Sequence, residues 1–166
     1  STSPAVVRTV PTKTVGHSEL IVGGVDQLMS QMAQCCRPVV GDPVIGYITQ
    51  GRGVTIHRTE CPNVQKMQET RPDRIIPVAW GEDPKTAYPV DLRLLAKDRS
   101  HLMRDITAYL SKEKLSIVGL NTHQDHSDQG LVWIHLTLEI QHIDLLKGVQ
   151  HNLGMLAGVI DVKRGR

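Results

Sequence analysis

Three cysteines and one histidine form the pattern with the clearest chemistry in this chain. Cys35 and Cys36 are adjacent, His57 follows after twenty intervening residues, and Cys61 follows after three more. Three thiolates and one imidazole satisfy a tetrahedral Zn²⁺ ion with soft ligands and leave no open position for a substrate. This composition favours a structural zinc site, which would be non-catalytic.

The adjacent cysteines leave alternatives open at this point. Neighbouring side chains normally diverge, so a Cys-Cys pair chelates less readily than a CxxC pair unless the backbone turns sharply, as Pro38 and Gly41 would permit. Alternatively, the thiols are buried apolar groups, or Cys35 and Cys36 form a vicinal redox pair.

The elements that position these residues are predicted from periodicity and turn residues. Apolar residues at helical spacing predict a helix that runs into Cys35: Val25, Leu28, Met29, Met32 and Ala33. A β-hairpin with strands at 44–49 and 54–57 can fold back to bring His57 and Cys61 beside the cysteine pair. A short helix from Pro62 to about Thr70 and a strand over 75–80 follow.

The second half of the sequence predicts the order βαββαβ. Val90 to Ala96 alternates as a half-buried strand, and Leu102, Ile106, Tyr109 and Leu110 mark a helix with Ser100 as its N-cap. Strands at 115–122 and 132–140, a helix over 146–156 and a strand at 159–163 complete the order. Right-handed crossovers then give a ferredoxin-like antiparallel sheet with both helices on one face, so the fold class is α+β.

Length and composition fit two small domains. The 166 residues are 40% hydrophobic and 22% charged, which is typical of a globular protein, and no apolar run approaches the roughly 20 residues that span a bilayer. A break at 81–84 separates a Cys/Cys/His/Cys module, residues 22–83, from the βαββαβ domain, residues 84–166. Residues 1–21 are expected to be a flexible linker cut from a larger protein. Three cysteines make no disulfide framework, and the cytoplasm is the expected compartment.

Two long segments resemble a known family. MAQCCRPVVGDPVIGYITQGRGVTIHRTECPNV, followed by VAWG, is similar to the zinc-finger segment of the RelA/SpoT family of (p)ppGpp synthetases and hydrolases, and ITQGRG is closest to the RelA branch. LLAKDRSHLMRDITAYLSKEKLSIVGL resembles the ACT domain that ends these proteins. The resemblance covers residues 22 to 166, and it implies that Cys35, Cys36, His57 and Cys61 are the zinc ligands.

The resemblance also implies partners and a function. In this family the C-terminal region seats the enzyme on a stalled ribosome with uncharged tRNA in the A site. The chain is therefore expected to bind large-subunit ribosomal RNA and to regulate the catalytic domains of its parent, a GTP/GDP pyrophosphokinase, without catalysing a reaction itself. The alternative function is an ACT-based amino-acid sensor. The uncovered face and edge strands of the ACT sheet predict a homodimer.

Two positions depart from the family pattern. Val40 replaces the second proline of CCxPxPGD, a change expected to loosen the turn beside the ligands but to be tolerated. His101 replaces the glycine that follows the first strand in ACT domains that bind amino acids, and its imidazole is expected to crowd such a ligand.

Basic residues near the cysteines are the candidate RNA contacts. The net charge of +2 does not by itself indicate nucleic-acid binding, but Arg37, Arg52 and Arg58 surround the predicted metal site. Arg52 is expected at the tip of the hairpin, where a guanidinium can reach phosphate. A solvated charged face is the alternative interpretation.

Histidines in the second half indicate no enzyme site. His123 and His126, with Asp125 and Asp128, belong to a predicted turn, where polar residues are expected. His135 is expected at the surface. The absence of phenylalanine argues against the base-stacking platform of an RNA-recognition motif.

Overall fold

The computed structural model describes residues 20–22, 29–51, 53–81 and 86–165. These residues divide into two compact units between Thr86 and Ala87. Among the described residues, no helix reaches the length and apolarity needed to cross a bilayer.

The first unit is built from short strands and one helix. The elements are β1 (Leu20–Val22), β2 (Met29–Met32), β3 (Val44–Ile48), β4 (Gly53–Arg58), α1 (Pro62–Thr70), a 3-10 turn (Pro72–Arg74), β5 (Ile75–Ile76) and β6 (Val78–Trp80). The predicted hairpin and the helix that begins at Pro62 are both present. The strand predicted over 75–80 is divided into β5 and β6, which pair with different partners.

The hairpin forms the centre of a four-stranded sheet in the order β2-β4-β3-β5. Strands β3 and β4 pair antiparallel, and Ile45 lies opposite His57. Val54, Ile56 and Val78 form the buried core of this unit, with Met32 and Trp80 among the partly buried side chains packed against it. Strand β1 pairs antiparallel with β6 in a separate two-stranded sheet.

The helix predicted to run into Cys35 is wrong over its described part. Met29–Met32 is a strand that pairs parallel with β4, with Met32 beside Ile56. Strand β4 carries the buried Val54 and Ile56, so the backbone groups along its second edge need hydrogen-bond partners. Pairing with β2 supplies them, and this tertiary demand overrides the helical periodicity of the sequence. Val25 and Leu28 lie outside the described residues.

The second unit has the predicted βαββαβ order. Its elements are β7 (Tyr88–Lys97), α2 (Leu102–Lys112), β8 (Ile117–Gln124), β9 (Leu131–Ile140), α3 (Ile143–Gly154) and β10 (Val159–Arg164). The strands form one antiparallel sheet in the order β10-β7-β9-β8, as a ferredoxin-like fold requires. Alternate residues of the two central strands and three residues of each helix form the core: Val90, Leu92, Leu94, Ala96, Val132, Ile134, Leu136, Leu138, Ile140, Leu102, Ile106, Leu110, Leu146, Val149 and Leu153.

The start of α2 differs from the sequence prediction. His101, rather than Ser100, occupies the N-cap position, and no side chain caps the helix there. Its backbone is left-handed, with φ of 65°. The preceding loop is held instead by Arg99, whose guanidinium donates to the carbonyl of Ala157 at 2.7 Å and to the carboxylate of Asp105 at 2.7 Å.

Candidate metal centre

The four predicted ligands meet at one place in the first unit. One ligand atom from each of Cys35, Cys36, His57 and Cys61 lies within 4.8 Å of the other three. The Sγ atom of Cys35 is 3.5 Å from Nδ1 of His57 and 3.6 Å from Sγ of Cys61. The Sγ atom of Cys36 is 3.8 Å from the same His57 nitrogen.

These separations fit a tetrahedral metal ion. A tetrahedron with metal–sulfur bonds of about 2.3 Å and a metal–nitrogen bond of about 2.0 Å has S···S edges of about 3.8 Å and S···N edges of about 3.5 Å. The observed edges of 3.5, 3.6 and 3.8 Å match these values within a few tenths of an ångström. The group can therefore hold one ion with all four donors, and no donor position remains for a substrate.

A sharp turn lets two adjacent cysteines point at one site. The N–H of Arg37 donates to the carbonyl of Ala33 at 2.9 Å, which closes a turn around the pair. Arg37 itself is left-handed, with φ of 42°. The required turn is therefore centred on the cysteine pair and Arg37, whereas the sequence suggested Pro38 and Gly41.

The loop after the cysteines is fixed by Asp42, whose hydrogen bonds were not predicted from the sequence. Its buried carboxylate accepts a 2.7 Å hydrogen bond from the N–H of Val39, whose carbonyl accepts from the N–H of Asp42 at 2.9 Å. The indole N–H of Trp80 donates to the Asp42 carbonyl at 2.9 Å. Val40 is buried, with 3% of its surface exposed, so the apolar side chain at this position packs inside the turn.

His57 reaches the site from strand β4 and is 4% exposed. Burial lowers the pKa of His57, which favours the neutral imidazole that binds metals. The next residue along the strand, Arg58, donates its backbone N–H to Sγ of Cys36 at 3.3 Å. The hairpin therefore supplies one ligand and orients another.

Cys61 lies at the N-cap of α1, immediately before Pro62. Burial raises the pKa of its thiol. Hydrogen bonds from the backbone N–H groups of Val64 and Asn63 and from the neighbouring thiols lower this pKa by more, so the net shift is downward. Burial raises the pKa of the Cys36 thiol to about 12. Without a cation to neutralise the sulfurs, the site therefore keeps the Cys36 thiol protonated.

The ligands rest on a small apolar cluster. Ile45, Cys61 and Val64 form its buried part, and Cys36, Met67 and Ile75 pack against it. This cluster joins the hairpin, helix α1 and the strand that follows the helix. Loss of the metal ligands would consequently disturb the packing of three elements.

The structure describes two of the three basic residues that were predicted to face RNA. Arg37 and Arg58 are both half-buried and adjoin two of the candidate ligands in the sequence, Cys36 and His57 respectively. The side chain of Arg58 is 21% exposed and lies 4.0 Å from the carboxylate of Glu60. Arg52 lies outside the described residues.

The polar turn of the second unit is organised around Asp125. This carboxylate accepts from the hydroxyl of Ser127 at 2.7 Å, from the N–H of Asp128 at 3.0 Å and from the indole N–H of Trp133 at 2.8 Å. The Ser127 hydroxyl, the Trp133 indole and the Ser127 N–H lower the pKa of Asp125 to about 2. The rings of His123 and His135 are stacked, with centroids 5.2 Å apart.

A cavity of about 450 Å³ adjoins the left-handed residue of the second unit. Its lining includes His101 and Arg104 from the start of α2, Thr122 and His123 from β8, and the buried Ile134 from β9. The His101 side chain is exposed at this cavity. His101 has a positive φ of 65°, a backbone conformation that glycine adopts without steric cost.

Two family models match the chain in succession. Residues 20–81 match the RelA/SpoT RIS domain, and residues 84–164 match the ACT domain. The GTP pyrophosphokinase of Haemophilus influenzae is 39% identical over 145 residues, which are 87% of this chain and 19% of that protein. The GTP pyrophosphokinase of Escherichia coli K12 is 38% identical over 148 residues, 89% of this chain and 20% of that protein.

Solved structures include one ACT domain of similar size. The ACT domain from the GTP pyrophosphokinase of Chlorobium tepidum is 22% identical, with a TM-score of 0.42, and the match covers 48% of this chain and 99% of that domain. The C-terminal domain of the MgtC protein from Mycobacterium tuberculosis is 17% identical, with a TM-score of 0.40, over 51% of this chain and 93% of that domain.

The matched region is regulatory in type. The chain spans about a fifth of the length of the curated relatives it matches, and the two family models that match it are the RIS domain and the ACT domain. Residues 20–164 are therefore the RIS and ACT domains of the C-terminal region of a RelA/SpoT-family protein.

Proposed function

We propose that this region binds the ribosome and regulates the (p)ppGpp synthetase domain of its parent protein in the cytoplasm, with a structural zinc ion in the RIS domain. The relatives that support this proposal are GTP pyrophosphokinases. The observation that carries it is the closed Cys₃His donor set, because such a site stabilises a small domain and has no position for a substrate.

Zinc fits the donor set better than other common ions. Thiolate and imidazole are the donors that zinc prefers, whereas magnesium and calcium take oxygen ligands. Cys35, Cys36, His57 and Cys61 would hold it, and the ion would supply folding free energy to a unit whose described sheets are short. Three thiolates on one Zn²⁺ leave a net negative charge, which the adjacent Arg37 and Arg58 would offset.

The proposed RNA-facing surface consists of Arg37, Arg52 and Arg58. The ion pair between Arg58 and the exposed Glu60 is long, at 4.0 Å, and such exposed pairs are weak, so the Arg58 guanidinium can still bind a phosphate. The partners proposed for this surface are the large-subunit ribosomal RNA near the A site and uncharged tRNA. Phosphate contacts of this kind make binding strongly dependent on salt.

The test is ribosome binding by an Arg52→Ala, Arg58→Ala double variant over a range of salt concentrations. We expect binding to weaken by about 1–3 kcal/mol in total, and the salt dependence to fall by nearly one unit of slope for each lost phosphate contact. The matched control is Lys66→Ala, Arg71→Ala, which removes two exposed basic side chains from the region of α1. Unchanged affinity and slope in the arginine variant, or an equal loss in the control, would exclude this surface.

A homodimer through the ACT domain is part of the proposal. Strand β8 is an edge strand of its sheet, and its eight residues include no charged side chain and no proline. Ile117, Val118 and Leu120 are 39%, 58% and 47% exposed. Such an edge favours pairing with a second copy. A dimer mass at roughly hundred-micromolar concentration, lost in Val118→Lys, is the expected result of sedimentation; a monomer under those conditions would contradict it.

A second candidate function, amino-acid sensing, is favoured by the 450 Å³ cavity beside His101. The apolar floor of this cavity includes Leu102, Val132 and Ile134, and its polar residues include Arg104 and Thr122. A branched-chain amino acid that binds there would raise the melting temperature of the ACT domain in proportion to the logarithm of its concentration. No shift at millimolar ligand would eliminate this candidate.

A further inference from the structure

We propose that Cys35 and Cys61 form a reversible oxidation site, in which peroxide converts the two thiols into a disulfide and thereby removes two of the four metal donors. The pair lies far apart in the sequence but close in space: 26 positions separate the residues, and 3.6 Å separates their Sγ atoms. A disulfide bond of about 2.05 Å needs the sulfurs to approach by about 1.5 Å. Cys35 lies in a turn, where its side chain can make that movement.

The two sulfurs differ in their access to an oxidant. Cys35 is exposed, whereas Cys61 is 4% exposed. The backbone N–H groups of Asn63 and Val64 hold the Cys61 sulfur at the start of α1. A small oxidant therefore meets Cys35 first, and Cys61 is positioned to react with the product.

The chemistry balances with hydrogen peroxide as the oxidant. The Cys35 sulfur attacks one peroxide oxygen, the O–O bond breaks, and a sulfenic acid and one water form. The Cys61 sulfur then attacks the Cys35 sulfur, so that the S–S bond forms and the S–O bond breaks. The departing hydroxide takes the thiol proton of Cys61 and leaves as a second water. Two thiols and one peroxide thus give one disulfide and two waters.

The third cysteine is a poorer partner for either sulfur. Adjacent Cα atoms are about 3.8 Å apart across a trans peptide, whereas disulfides need about 4.4–6.8 Å, so a Cys35–Cys36 bond would be strained. No cis peptide is present among the described residues. The Cys36 sulfur is also held by the N–H of Arg58 at 3.3 Å. The geometry thus selects Cys61 as the partner of Cys35.

The consequence for the RIS domain is the loss of a metal-binding donor set. After oxidation, only Cys36 and His57 remain as donors, and two ligands hold an ion far less tightly than four. Reduction by a thiol restores Cys35 and Cys61 and lets the ion bind again. The site would therefore report peroxide as a reversible loss of metal.

The experiment treats the chain with hydrogen peroxide in two forms, metal-free and loaded with one zinc per chain. Free thiols are then alkylated, and the chain is cleaved with trypsin, which releases Cys61 in the peptide from Thr59 to Lys66. We expect that peptide to be linked to the peptide that contains Cys35 and Cys36, with fragmentation placing the bond on Cys35 and the alkyl group on Cys36. In the loaded form, a chromogenic chelator should detect zinc release at the rate of disulfide formation, and dithiothreitol should reverse both changes.

Variants make the assignment specific. Cys36→Ser should still form the Cys35–Cys61 bond in the metal-free form, and Cys35→Ser should lose it. A bond to Cys36 in the wild-type chain, disulfides between chains only, or oxidation to sulfinic acid without a cross-link would overturn the proposal. The wild-type mapping requires no variant to fold. The metal-free arm does not depend on zinc or on ribosome binding, so its outcome is independent of the proposed function.

Discussion

The Nδ1 atom of His57 lies 3.5 Å from the Sγ atom of Cys35, although 22 positions separate the two residues. The hairpin formed by β3 and β4 closes this distance, since it returns the chain to the turn from which it started. A metal ion at this point would join the turn, the hairpin and helix α1. Its binding free energy would then contribute to the folding of the RIS domain.

Chelation should lower the stability of the RIS domain and leave that of the ACT domain unchanged. All four donors lie in the first unit, and loss of a structural zinc ion removes several kcal/mol from the free energy of unfolding. The chain has two tryptophans, Trp80 in the first unit and Trp133 in the second. In Trp133→Phe, the remaining indole should report unfolding at a lower urea concentration when a strong chelator is present.

The matched control for chelation is Trp80→Phe, in which only Trp133 remains. Its midpoint of unfolding by urea should be the same with and without the chelator. Parallel changes in the two variants, or no change in either, would contradict a metal site confined to the RIS domain.

The carboxylate of Asp125 should make the ACT domain less stable in acid. Its pKa in the folded chain is about 2, below its ordinary value of 3.8, so its contribution is complete above the ordinary value and is lost as the pH falls through about 2. Acid titration of Trp80→Phe, with Trp133 as the probe, should show this loss. Asp125→Asn should be less stable at neutral pH and should lack this part of the acid dependence; an identical acid profile would refute the assignment.

Replacing His101 by glycine should stabilise the ACT domain. The residue is left-handed, with φ of 65°, and no side-chain hydrogen bond caps α2 there. Relief of the left-handed strain should raise the free energy of unfolding. The greater freedom of glycine in the unfolded chain offsets part of this gain, so a net gain of about 0.5–1 kcal/mol is expected. Denaturant unfolding of His101→Gly measures this gain. Ser100→Gly is the control, and a loss of stability of the same size in both variants would argue against strain at His101.

Sequence patterns predicted the βαββαβ domain well because each of its elements buries one regular face. The alternation along β7 and β9 and the apolar stripe of α2 are local signals, and the structure confirms them. The N-cap was wrong because the left-handed backbone of His101 leaves no capping geometry for Ser100. Histidine adopts a left-handed backbone more often than most residues other than glycine, but still in a small minority of cases, so it was not predicted here.

The RIS domain was harder to predict because its strands are short and its pairings are distant. The glycines between its strands predict the hairpin, and Pro62 predicts the start of α1. Strand β2, in contrast, forms only by pairing with β4, which lies more than twenty residues later in the sequence. Arg37 has a left-handed backbone without being a glycine, so no residue type predicts the turn there. Asp42 carries a weak signal, since aspartate side chains in turns often accept a hydrogen bond from a nearby backbone N–H.

Zinc K-edge X-ray absorption of the purified chain, loaded with one equivalent of zinc and dialysed, tests whether the four donors form a closed zinc site. We expect one zinc per chain to be retained, with three sulfur neighbours at about 2.3 Å and one nitrogen at about 2.0–2.1 Å, from Cys35, Cys36, Cys61 and His57. Loss of the zinc on dialysis, or a shell with two or fewer sulfurs completed by oxygen, would contradict a closed structural site.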